Sequence, residues 1–158
     1  LALELLLERP QELRPYFSIH PGISSMQMAA SIIGAPLAND FCSISLSNLL
    51  TPWEKIKERI IGAAIGDFVI AFYNPKSKER NWQIKAAIEI LLTYRSEDTP
   101  VIFARQLTRD GEEVKCYSLT TIPFEEVDML TTLIVGNSNS LVKDDWFLNP
   151  RGYLKSFD

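Results

Sequence analysis

The stretch Tyr73-Asn74-Pro75-Lys76-Ser77-Lys78-Glu79-Arg80 gathers a phenol, a side-chain amide and a group of cations. Side chains of these types hydrogen-bond to an anionic ligand and neutralise it. Pro21-Gly22-Ile23-Ser24-Ser25 offers a glycine turn and two hydroxyls. A helix starting there would add free backbone amides, which suit a carboxylate or phosphate. Val135-Gly136-Asn137-Ser138 offers a small residue and open backbone for the edge of a flat ring. Ala104-Arg105-Gln106 is weaker: Ala104 would let a ring approach, and Arg105 either binds an acidic group or pairs with Glu112 or Glu113. Each segment also has a plain structural reading, as a cap, a turn or a solvated basic face, and singly none outweighs it. His20, before the Pro-Gly turn, reads best as a partly buried histidine. Asp128 and the pair Asp144-Asp145 read as structural or solvated acids, and no residue stands out as catalytic.

The elements that must position these loops follow from periodicity. Residues 67–73 are almost continuously apolar and read as a central strand buried on both faces. A short strand is expected at 16–19. Ser24 with Gln27 three residues on forms a capping-box pattern. The helix it opens carries Met28, Ala29, Ile32 and Ile33 and stops at Gly34. Residues 41–46 alternate as a half-buried strand does. Thr51-Pro52-Trp53-Glu54 predicts a helix with Thr51 as N-cap and Pro52 at the first helical position; Ile56, Ile60 and Ala64 lie on its stripe. A further helix is expected over 81–93, a strand over 101–104, and an antiparallel return over 114–119 after the turn Arg109-Asp110-Gly111-Glu112. Residues 123–127 read as a short turn or helix and 131–135 as the last strand.

This alternation predicts an α/β fold: a mixed, mainly parallel sheet of about five strands, with flanking helices and a carboxyl-terminal hairpin. Residues 1–140 read as one domain and 141–158 as an irregular tail. Ligands of such sheets bind outside the carboxyl ends of the strands. The expectation is therefore that the loops at Ser24, Tyr73 and Gly136 converge on one rim.

The totals narrow the function. A chain of 158 residues with 46% hydrophobic and 23% charged residues is large enough to bury one core. A net charge of −4 speaks against general nucleic-acid binding. Two cysteines far apart in apolar runs read as reduced thiols of a cytoplasmic protein, and one histidine with no Cys/His cluster speaks against a metal site. No run approaches the roughly 20 apolar residues of a membrane span. The chain opens on Leu1-Ala2-Leu3-Glu4-Leu5-Leu6-Leu7 with no capping residue, which reads as part of a longer polypeptide.

Taken together, Pro21-Gly22-Ile23-Ser24-Ser25, the run Ser45-Leu46-Ser47-Asn48-Leu49-Leu50-Thr51-Pro52-Trp53, Phe72-Tyr73-Asn74-Pro75, Ala104-Arg105 and the block from Val127 to Ser138 resemble the corrin/porphyrin (tetrapyrrole) methylases. The resemblance runs from about Leu1 to Ser140 and again at Pro150-Arg151-Gly152-Tyr153. The Tyr-Asn-Pro and Asp-Met-Leu-Thr-Thr blocks point to the branch of cobalamin biosynthesis that methylates C-17 of precorrin-3B and contracts the ring to precorrin-4. The Gly-x-Gly-Pro-Gly and Gly-Asp-Pro loops of the family's first domain have no counterpart here. The resemblance thus implies a carboxyl-terminal domain supplying half of an S-adenosylmethionine site, inactive without its amino-terminal domain. It implies that Ser24 and Ser25 face the methionine end of the cofactor, that Tyr73 and Asn74 contact its ribose or methionine portion, and that Ala104, Val135 and Gly136 frame the adenine. Lys76, Arg80 and Arg105 are expected to meet the carboxylates of a tetrapyrrole substrate. A homodimer is the assembly the resemblance implies. A non-catalytic tetrapyrrole- or nucleotide-binding module remains the alternative.

Overall fold

The structure is a computed structural model and describes residues 4, 7, 8 and 11–152. A 3-10 helix, Gln11–Tyr16, is followed by α1 (Ser25–Ile33), β1 (Gly34–Ala35), β2 (Phe41–Ser45), α2 (Trp53–Ile65), β3 (Val69–Tyr73), α3 (Gln83–Leu92), β4 (Pro100–Arg105), β5 (Glu113–Ser118), β6 (Thr131–Val135), β7 (Leu141–Lys143) and β8 (Trp146–Leu148). Five strands form the main sheet in the order β2-β3-β6-β4-β5, and β1-β8-β7 form a small second sheet. The mixed five-stranded sheet with flanking helices is the architecture the sequence implies. β2 and β3 pair in parallel, whereas β6 runs antiparallel to both β3 and β4, and β5 antiparallel to β4. β2, β3 and β4 therefore point one way and β5 and β6 the other. The carboxyl ends of β2, β3 and β4 share a near rim with the amino end of β6, and the opposite strand ends form a far rim.

Strand alternation divides the core into two layers. Ile70, Phe72, Val101, Phe103, Leu133 and Val135 pack with Ile56 and Ile60 of α2 and with Ile84, Ile88 and Leu91 of α3. Val69, Ala71, Ile102, Ala104 and Ile134 pack on the other face with Ala29 and Ile33 of α1 and with Phe147 of β8. The small side chains of Ala29, Ala71 and Ala104, all fully buried, leave room for α1 to lie against the sheet. Each large apolar side chain buried in these layers contributes about 1.5–3 kcal/mol.

The capping box at α1 forms as the sequence implies. The Gln27 N–H donates to Ser24 Oγ, and the Ser24 N–H donates to Gln27 Oε1 at 2.9 Å. Gly34 ends α1 with φ 136° and lies so close to β8 that a Cβ there would sit 2.4 Å from the Phe147 carbonyl oxygen. α2 begins one residue later than expected. Pro52 has ψ 142°, which is extended, so it is the N-cap rather than the first helical residue, and Thr51 makes no capping bond.

Two further expectations fail. Residues 16–19 form no strand: Tyr16 closes the 3-10 helix, and no described strand pairs with the residues after it. The stretch from Leu141 is not irregular throughout: residues 141–148 are ordered into strands. β7 and β8 form a hairpin, and β8 docks in parallel on β1, burying Phe147 completely. Asp144 (φ 51°) and Asp145 (φ 65°) are its two turn residues, both in the left-handed region that tight hairpins require. Residues 153–158, including Tyr153, and most of the opening leucine run lie outside the described residues. Among those described, no helix is long and apolar enough to cross a membrane.

Candidate functional site

The near rim carries a cavity of about 210 Å³ to which four separated segments contribute. Ser25 comes from α1, Tyr73 and Asn74 from the end of β3, Gln106, Leu107 and Arg109 from the β4–β5 loop, and Met129, Leu130 and Thr132 from the entry to β6. Hydrogen bonds tie these segments together. Ser25 Oγ lies 2.9 Å from Thr132 Oγ1, and the Met26 N–H donates to the Tyr73 hydroxyl at 3.2 Å. The Asn74 side-chain amide donates to Ser45 Oγ at 3.1 Å, bridging the ends of β2 and β3. The Gln106 N–H donates to the Leu130 carbonyl at 3.1 Å. Asn74 (φ 53°) and Gln106 (φ 52°) both occupy the left-handed region, a strained arrangement that clusters at ligand-binding loops.

Of the residues expected on this rim, Ser25, Tyr73 and Asn74 meet in the cavity. Ser24 is occupied by its cap. The amides of Met26 and Gln27 are likewise taken, by the Tyr73 hydroxyl and by Ser24 Oγ, so the start of α1 is not the open anion site the sequence suggested. Ala104 is fully buried beside Thr132 in the β4–β6 register and does not line the cavity.

Val135 and Gly136 lie on the far rim, which overturns the expected convergence of three strand ends. Because β6 is antiparallel, Val135 pairs with Ile70 and Val101 near the start of β3 and β4. The Gly136 N–H donates to the Pro100 carbonyl at 2.8 Å, and its carbonyl accepts from Arg95 Nη1 at 2.5 Å. A Cβ at Gly136 would fall 2.7 Å from the Ser140 Cβ, so the glycine admits the protein's own chain rather than a ring. The amino end of β6, with Thr132, takes the place expected of its carboxyl end. The sequence singles out neither Thr132 nor Arg109 as a site residue. Strand direction is the signal that would find Thr132, and it is not written in the apolar pattern of β6.

The three expected substrate cations are each engaged within the protein. Lys76 donates to the Phe124 carbonyl at 3.0 Å and lies 3.8 Å from Glu125, away from the cavity. Arg80 donates to the Asn74 carbonyl at 3.4 Å and approaches Met129 Sδ at 3.7 Å. Arg105 pairs with Asp128 at 2.8 Å, not with Glu112 or Glu113. Its neighbour Ala104 faces α1, so strand alternation turns Arg105 to the other face, where the turn before β6 meets it. Asp128 Oδ1 also accepts from Thr131 Oγ1 and from the Leu130 N–H, each at 2.9 Å. Partial burial pushes the Asp128 carboxyl up, but the bonds from Thr131, Arg105 and the Leu130 N–H outweigh it and hold the group below its ordinary value.

With α1 on one face of the sheet and α2 and α3 on the other, the three layers bring hydroxyl and amide side chains to one rim. Residues 3–123 match the tetrapyrrole (corrin/porphyrin) methylases, and the chain belongs to that family. It is 47% identical over 159 residues to the cobalt-factor III methyltransferase of Priestia megaterium, covering 99% of this chain and 29% of that protein. It is 41% identical over 140 residues to the precorrin-3B C(17)-methyltransferase of Sinorhizobium sp, covering 85% of this chain and 55% of that one. The crystal structure of the methyltransferase CobJ superimposes with a TM-score of 0.87 at 37% identity, over 94% of this chain and 62% of CobJ. The chain thus spans less than two thirds of the length of each of these relatives.

Proposed function

We propose that the chain is one half of an S-adenosylmethionine-dependent methyltransferase that acts at C-17 of precorrin-3B, with ring contraction to precorrin-4, in cobalamin biosynthesis. The near-rim cavity carries this reading. Four separated segments of a tetrapyrrole methylase bring Ser25, Tyr73, Asn74 and Thr132 to one polar surface there. The fit to the cofactor is partial in a telling way. The side chains are hydroxyls and an amide, suited to a ribose and an amino-acid end, and Leu107, Met129 and Leu130 add apolar wall. Yet about 210 Å³ is less than the roughly 300 Å³ at which small-molecule pockets begin, so a second wall is required.

An amino-terminal domain of the same polypeptide would supply that wall. Phe17 is 50% exposed, Ile19 76% and Ile23 74%, an apolar stretch beside the start of α1 that suits such a neighbour. When bound, S-adenosylmethionine supplies a methyl group on a sulfonium that leaves as a neutral thioether. Ser25, Tyr73, Asn74 and Thr132 then have only to orient, and the apolar wall to exclude water, so positioning dominates and no general base is required for the transfer. Cys42 and Cys116 are free thiols, in keeping with a cytoplasmic enzyme. Self-association as a homodimer completes the proposal.

The test joins the chain to an amino-terminal methylase domain and supplies S-adenosylmethionine with precorrin-3B or with cobalt-factor III. The product of at least one macrocycle should gain the mass of a methyl group, while the chain alone turns over neither. Tight macrocycle binding without methyl gain from either would point instead to the non-catalytic module.

A further inference from the structure

With Lys76, Arg80 and Arg105 each engaged by the protein's own groups, a substrate that carries carboxylates needs another cation at this rim. Arg109 is that cation. It lines the cavity beside Gln106 and Leu107, its side chain is exposed, and among the described residues its guanidinium has no hydrogen-bond or ion-pair partner. Glu112, the acid three residues on, forms no ion pair with it among the described residues; Glu112 Oε2 accepts from the Thr108 N–H at 2.6 Å.

The loop holds Arg109 in place. The Arg109 N–H donates to the Gln106 carbonyl at 3.0 Å, the Glu112 N–H donates to the Arg109 carbonyl at 3.1 Å, and Gln106 is itself tied to Leu130. Gln106 (φ 52°) and Thr108 (φ 62°) both hold left-handed conformations that such residues adopt only when their surroundings fix them. Gly111 (φ 84°) holds a left-handed conformation that favours glycine in the same loop. A free guanidinium on a fixed loop, over a cavity otherwise lined by neutral groups, is arranged to receive a carboxylate.

We propose that Arg109 anchors a peripheral carboxylate of the macrocycle, an assignment that rests on the function proposed above. The methyl donor also carries a carboxylate, but its sulfonium and ammonium leave it with net positive charge, which Arg109 would repel. The macrocycle carries several carboxylates and no such compensation.

Arg109→Ala and Arg109→Lys, with Arg105→Ala beside them, are made in the polypeptide joined to its amino-terminal domain. Affinity for the macrocycle is read by quenching of tryptophan fluorescence, and affinity for S-adenosylhomocysteine by calorimetry. Arg109→Ala should weaken macrocycle binding about 10-fold, the loss of one charge-assisted contact, and leave S-adenosylhomocysteine within about twofold. Arg109→Lys should recover part of the loss, and Arg105→Ala should leave macrocycle affinity in place. Unchanged macrocycle binding in Arg109→Ala overturns the assignment, as does an equal loss of S-adenosylhomocysteine affinity, which would give the contact to the cofactor. A parent protein that binds neither ligand overturns the proposed function itself.

Discussion

Arg105 and Asp128 provide the sharpest test of how the rim is built. Their side chains are 33% and 36% exposed, and the Nε–Oδ2 distance is 2.8 Å. Coulomb's law at that distance gives about 6 kcal/mol at an effective dielectric of 20 and about 1.5 kcal/mol in bulk water. With a third of each side chain in solvent, screening and side-chain entropy bring the coupling near 1 kcal/mol. Arg105→Ala should therefore cost about 1 kcal/mol. Asp128→Ala should cost about 2–3 kcal/mol, because the bonds from Thr131 and Leu130 are lost as well. Urea unfolding of the parent, both single variants and the double variant gives the coupling directly. The pH dependence adds a second reading. Asp128 lies below its ordinary 3.8 in the folded state, so its contribution is complete above that value and is lost as pH falls through the folded value. Between about pH 5 and pH 2 the parent should lose more stability than Asp128→Asn. Zero coupling, together with parallel pH profiles for the two proteins, would refute the clasp and return Arg105 to the substrate.

Phe147→Ala should destabilise the chain by about 3–5 kcal/mol in urea, since the ring is fully buried under α1; a cost below about 1 kcal/mol would mean that β8 does not belong to the core. Tyr73→Phe removes the acceptor of the Met26 N–H and should cost about 1 kcal/mol of stability while weakening S-adenosylhomocysteine binding in the joined polypeptide; calorimetry showing unaltered affinity would remove the hydroxyl from the cofactor wall.

The elements of the fold are legible because their signals are local. The Ser24–Gln27 box, the apolar run of β3 and the glycine turn after β4 are each written within a few residues. Strand direction is not. Residues 131–135 have the same apolar pattern whether the strand runs with β3 or against it, and only the pairing shows that Thr132 rather than Gly136 reaches the near rim. Register decides the cations in the same way. Arg105 follows the inward Ala104, so it faces Asp128, a partner 23 residues away that no local spacing reveals. The β7–β8 hairpin was hidden because its turn uses Asp144-Asp145, a poor left-handed pair beside the Asn-Gly that usually marks such turns. Arg109 reads as a turn residue in sequence; its place at the cavity, with no guanidinium partner among the described residues, sets it apart.

Hydrogen exchange of the joined polypeptide, with and without S-adenosylhomocysteine, tests the central claim most directly. Ligand should slow exchange in the peptides holding Ser25 and Met26, Tyr73 and Asn74, Gln106 and Leu107, and Leu130 to Thr132, and leave those around Arg95, Gly136 and Asn137 as they were. Protection confined to the Gly136 side, with the Tyr73 and Thr132 peptides unaffected, would contradict the account.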